Sequence, residues 1–167
     1  MITHVQVYDR LKALLESCGY RITSWQWKSP LTATHSALGD IEIYFFGENF
    51  RVDDNASPFP AHKRTRSEAM QDWQTERTMM SEEAGHVCSA KAVLLALTKL
   101  ATRNNGKRIG LAFPDADNFM KYLEPVVIPL SKAGIEFFFI TTTREVAAIG
   151  KNWTQLPPSK GGGLLGQ

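Results

Sequence analysis

Carboxylates two residues apart on a strand share one face, and Asp40 and Glu42 have that spacing within Asp40-Ile41-Glu42-Ile43-Tyr44-Phe45-Phe46. A second acidic group, Asp53-Asp54-Asn55, closes the next strand-forming run, Phe50-Arg51-Val52-Asp53. Carboxylate oxygens are what a hard divalent cation prefers. Asp and Asn at strand ends also form turns by bonding to nearby backbone, so both uses stay open for Asp40 and for Asp53-Asp54-Asn55. Lys91 falls between Leu94 and Leu95 on a helical wheel, beside Val87 and inside the apolar arc. An amine there needs a carboxylate partner, or a stem long enough to reach water. His62-Lys63-Arg64-Thr65-Arg66 is the one dense basic run. Lys63, Arg64 and Arg66 suit phosphate contacts, with Trp73 nearby as a stacking surface, although Glu68, Asp72 and Glu76 dilute the field. Asp115 and Asp117 precede a helical pattern and are expected to cap it. The four histidines and two cysteines show no metal-ligand spacing.

The elements that must position these groups follow from periodicity. Val7, Leu11, Leu14, Leu15 and Cys18 define an amphipathic helix over about Val5 to Cys18, with Gly19 as its stop. Tyr20 to Lys28 reads as a first strand ended by Pro30, Asp40 to Phe46 as a second, and Phe50 to Asp53 as a third, entered through Gly47-Glu48-Asn49. Residues 54–85 are polar and broken by Pro58 and Pro60. A long loop or helical insert of that length is more often functional than idle. Val87 to Ala101 is a strong helix stopped by Asn104-Asn105-Gly106, and Lys107 to Phe113 is a strand. A helix through Phe119 to Leu130 must kink or split at Pro125 and Pro129. Ile135 to Ile140 is a continuous apolar run, as in a buried central strand. The order is αβββαβαβ. It predicts an α/β fold with one mixed sheet and helices on both faces, its last two strands joined by a right-handed parallel crossover.

At 167 residues and 43% apolar content, the chain suffices for one core without disulfides or metal. Residues 1–150 form the expected domain and 151–167, with Pro157, Pro158 and three glycines, a flexible tail. No window approaches the roughly 18 apolar residues of a membrane span, and the start lacks a basic region followed by an apolar stretch, so a cytoplasmic location is expected. Cys18 and Cys88 read as small core hydrophobes in a reducing compartment. A net charge of +2 neither demands nor excludes a nucleic-acid partner.

The αβββαβ order, with carboxylates near its second and third strands, resembles the restriction-endonuclease-like superfamily of PD-(D/E)XK nucleases. There an acid on one strand precedes acid-x-lysine on the next. Ile109-Gly110-Leu111-Ala112-Phe113-Pro114-Asp115 and the later Gly134-Ile135 are similar to a segment of small bacterial proteins of that superfamily. The likeness covers about Leu94 to Ile140, and the first half only by element order. It implies Asp40 as the first metal-binding acid, Asp53 as the second, Mg²⁺ as cofactor, and hydrolysis of phosphodiesters, with DNA the foremost partner. The chain departs from the pattern at Asn55, where the family has a lysine that positions the attacking water. Some members supply the lysine from the following helix, and Lys91 occupies such a place. The resulting expectation is a nucleic-acid-binding nuclease-like domain with an altered Mg²⁺ site. The alternative is a non-enzymatic adaptor that keeps the fold and binds a protein.

Overall fold

Thr3 starts the first helix by a reciprocal cap: its hydroxyl accepts from the Gln6 amide at 3.3 Å, and the Gln6 side chain accepts from the Thr3 amide at 2.9 Å. Two otherwise orphaned amides are satisfied at once. A computed structural model describes residues 2–24, 29–48, 85–86, 88–143 and 145–153. Helix α1, His4–Ser17, buries Val7, Tyr8, Leu11 and Leu15 on one stripe and ends at Gly19, whose φ of +86° suits a residue without a side chain. Strands β1, Arg21–Ile22, β2, Leu31–His35, and β3, Gly39–Phe45, then pair as an antiparallel meander.

The meander is differently composed from the sequence expectation. Of Tyr20 to Lys28, only Arg21–Ile22 is described as strand, and β2 begins just beyond Pro30. A proline is tolerated immediately before a strand, because no ladder amide is lost there, and Leu31-Thr32-Ala33-Thr34 alternates apolar and polar as a half-buried strand should. Gly39–Phe45 is therefore the third strand of the meander, not the second. Phe50 to Asp53 lies outside the described residues, as do the long 54–84 stretch and the tail beyond Trp153.

Helix α2, described over 85–86 and 88–101, carries the chain to β4, Arg108–Pro114, which pairs in parallel with β3. Helix α3, Asp117–Ala133, leads to β5, Ile135–Ile140, again parallel as expected. Pro125 and Pro129 do not split α3, because both lie on its exposed side, as do the preceding-turn carbonyls of Lys121 and Pro125. The helix is capped not by Asp115 or Asp117 but from Ala116, without a side-chain bond. Asp117 sits in the first turn, where a carboxylate complements the helix dipole. A further strand, β6, Val146–Ile149, pairs antiparallel to β5. Two of its four residues are alanines, which left a weak strand signal.

The six strands lie in sequence order, β1 to β6, in one mixed sheet. Alternation sorts their side chains. Ile41, Ile43, Phe45, Ala112, Phe138 and Ile140 pack under α1, while Tyr44, Ile109, Leu111, Phe113, Phe137 and Phe139 pack under α2 and α3. The chain is thus an α/β protein with helices on both faces of one open sheet, and no described helix is long and apolar enough to cross a membrane. Helices α2 and α3 meet at their first turns, where Gly85 lies directly against the Asn118 backbone.

Candidate functional site

Strand alternation turns Asp40, Glu42 and Tyr44 toward the face that carries α2. Glu42 is 8% exposed. The Tyr44 hydroxyl donates to Glu42 Oε1, the Asn104 amide donates to Oε2 at 3.2 Å, and Lys99 Nζ of α2 stands 3.8 Å from Oε1. Burial works against the charge of Glu42. The donations from Tyr44 and Asn104 and the positive charges of Lys99 and Lys107 outweigh it, so the carboxyl stays below its ordinary range. Tyr44 is driven the other way: burial, and then Glu42 itself, hold its hydroxyl well above its usual value and keep it a donor.

Asn104 belongs to an unusual connection. Arg103, Asn104, Asn105 and Gly106 all have left-handed φ, at +57°, +40°, +52° and +80°. Three non-glycine residues in that region are costly, and asparagine tolerates it best. The buried bond from Asn104 to Glu42 fixes the turn, so Glu42 anchors both the exit of α2 and its Lys99. A pH dependence follows. The folded-state pKa of Glu42 is depressed, so its contribution is present above the unfolded value of 4.5 and is lost as pH falls through the lower folded value. Glu42→Gln should therefore cost stability near pH 7, and the gap to wild type in urea unfolding should narrow as pH falls below the unfolded value of 4.5. A gap of constant size would show that the charge of Glu42 contributes nothing.

The sequence-predicted residues fall out unevenly. Asp40 is exposed on the Glu42 face and accepts a hydrogen bond from the Thr34 hydroxyl. Asp53, Asn55, Lys63, Arg64 and Arg66 lie outside the described residues. Lys91 is exposed and does not point inward. The face that α2 buries is its stripe of small residues, Cys88, Ala92 and Ala96, which lets the helix sit close to the sheet, while Leu94 is 68% exposed. Size misled the wheel. Centred on Ala92 and Ala96, the buried arc includes Lys99, about 20° from Ala92 on the wheel, and that small-residue stripe is the signal that could have found it. Among the described residues, no three His, Cys, Asp or Glu side chains gather as a metal-holding group.

On the opposite face, Arg108 and Glu136 form a buried pair, with Nε to Oε1 at 2.9 Å and Nη2 to Oε2 at 3.0 Å. Arg108 also donates to the Leu38 carbonyl at 3.0 Å and the Tyr20 hydroxyl at 2.8 Å. Glu136 accepts from Asn152 at 2.9 Å and from the Trp153 indole at 2.8 Å. Every charge here is matched, as expected of a structural pair. No protein-family model matches the chain, and neither a curated protein nor a solved structure is significantly similar to it.

Proposed function

We propose that the chain is a nucleic-acid-binding domain of the restriction-endonuclease-like kind, with an altered acidic centre at Asp40 and Glu42. The observation that carries this reading is the meeting of β3 and α2: the third strand of an αβββαβ unit presents two carboxylates on one face, and the following helix brings a lysine ammonium to 3.8 Å from one of them. Lys99 thus takes the place that Lys91 was expected to fill. Both oxygens of Glu42 already accept from protein donors, whereas Asp40 faces solvent, so the residues fit a Mg²⁺ ion at Asp40 only. A cation that keeps most of its waters needs no more than one or two carboxylates. Such an ion would supply a bound water of lowered pKa. Glu42 orients Lys99, and Lys99 balances charge beside the phosphate.

The test combines binding and metal. Labelled single-stranded and duplex oligonucleotides should bind in Mg²⁺, and Mg²⁺ or Mn²⁺ at a hundred times its dissociation constant should raise the melting temperature by about 5–10 °C through about 2.7 kcal/mol of linkage. Asp40→Ala should remove that rise. Absence of oligonucleotide binding would sink the reading, and a metal-indifferent melting temperature would reduce it to binding without an ion. One observation favours the adaptor as second reading: Leu94, Leu97 and Ile128 are 68%, 41% and 55% exposed on α2 and α3, an apolar surface suited to protein.

A further inference from the structure

From Gly85 to Arg108 the chain holds Lys91, Lys99, Arg103, Lys107 and Arg108 and no acidic residue, although the whole protein carries only two more basic than acidic side chains. Two of these five charges are spent on partners, Arg108 on Glu136 and Lys99 on Glu42. Lys91, Arg103 and Lys107 are exposed and make no ion pair among the described residues. Their placement is ordered. Lys91 and Lys99 are eight residues apart, roughly 12 Å along the axis of α2 and about 80° around it. Ser89, Ala90 and Val93 face Tyr122 and Val126 of α3, which leaves Lys91 on the flank away from α3. Since Lys99 reaches Glu42 on β3, that flank overlooks the β1–β2–β3 side of the sheet and not the α3 side. Lys99 and Arg103 also complement the carbonyl end of α2, but Lys91 lies too far upstream for that service.

What the flank overlooks is equally distinctive. On the α1 face β2 is buried at Leu31 and Ala33, whereas on the α2 face Thr32 and Thr34 are half-exposed and Arg21 of β1 is exposed. No described helix covers them. The strip carries hydroxyls, with Thr23 and Thr32 Oγ1 atoms 2.9 Å apart and Thr34 donating to Asp40. Three strands make it about 10 Å wide. A basic wall beside a hydroxyl-lined floor is a surface for the phosphates of a polymer: cations neutralise them and hydroxyls fix their position.

We propose that this trough, walled by Lys91, Arg103 and Lys107 and floored by Arg21, Thr23 and Thr32 beside the exposed Asp40, takes the phosphodiester backbone of a nucleic acid. The inference rests on the nucleic-acid reading above and assigns the contact to α2 instead of the Lys63–Arg66 run. It predicts a salt dependence that belongs to particular residues. In fluorescence-anisotropy titrations of the full chain with labelled single-stranded and duplex oligonucleotides, the triple variant Lys91→Gln, Arg103→Gln, Lys107→Gln should lower the log–log salt slope by up to about 2 to 3. The double variant Lys12→Gln, Lys121→Gln, altered on α1 across the sheet and on α3 beyond α2, should keep the wild-type slope. The altered residues are exposed except Lys12, which is half-exposed and paired with Glu16, and matching urea midpoints would establish that the variants fold. Wild-type binding with an unchanged slope in the triple variant would overturn the trough and leave nucleic-acid binding standing. Equal loss of slope per removed charge in both variants would overturn it as mere net charge, and no wild-type binding at the lowest salt would overturn both readings.

Discussion

Glu136→Ala should cost about 3–5 kcal/mol, a large share of the roughly 5–15 kcal/mol that holds a domain of this size. The carboxylate is 4% exposed and accepts from Arg108, Asn152 and Trp153, so its removal strands a half-buried guanidinium and two side-chain donors together. Burial by itself disfavours the charge of Arg108. Glu136 and then Tyr20 overcome that and hold its pKa above the ordinary value. Without Glu136 that support is lost, but a guanidinium does not give up its proton, so the charge is left uncompensated. The same side chains tie the segment after β6 to the sheet, because Trp153 stacks on Tyr20 with ring centroids 5.9 Å apart and packs edge-on against Phe138 at 5.0 Å. The double variant Glu136→Leu, Arg108→Met should be more stable than Glu136→Ala, since an apolar pair leaves no uncompensated charge. Urea unfolding of the three proteins decides it, and a loss below about 1 kcal/mol for Glu136→Ala would show that Arg108 finds water instead.

Gly85→Ala should be the other severe substitution. A Cβ built on Gly85 would lie 1.9 Å from the Asn118 carbonyl oxygen and 2.5 Å from its carbon, both backbone atoms that no rotamer change can move aside. Alanine favours a helix over glycine by about 1 kcal/mol. Overpacking costs about 1–3 kcal/mol when side chains can adjust, and a backbone collision belongs at or above the top of that range. The net expectation is a loss of about 2 kcal/mol or more, with faster amide exchange in the first turns of α2 and α3. Equal or greater stability would mean that the two helices are not pinned together there.

The second half of the fold was legible because its signals were local and strong. Ile135–Ile140 is an uninterrupted apolar run with Gly134 before it, and the observed strand has those bounds with all six residues buried. The first half was harder, for reasons with names. Pro30 read as the end of a strand when it stands before one, and the resulting shift moved Gly39–Phe45 from second to third place in the meander. At the candidate site, alternation correctly put Asp40 and Glu42 on one face. Lys91 was misplaced because the wheel weighted large leucines over Cys88, Ala92 and Ala96, while close helix–sheet approach favours small side chains. Asn104 could not have been found from spacing. Its role depends on a left-handed turn, and it meets Glu42 from 62 positions away.

The order of the strands also bears on how the chain reaches this state. Each strand pairs with its neighbours in sequence, so most of the sheet can assemble from nearby segments. The exception is the junction of β3 with β4, which closes the stretch from Phe45 to Arg108, roughly three times the stretch from Pro114 to Ile135 that joins β4 to β5. By loop-closure entropy alone it costs about 1 kcal/mol more. On that cost alone, a meander with α1 and a βαβ unit with β6 are expected to form first and their common seam last. Glu42 and Asn104 face each other across that seam.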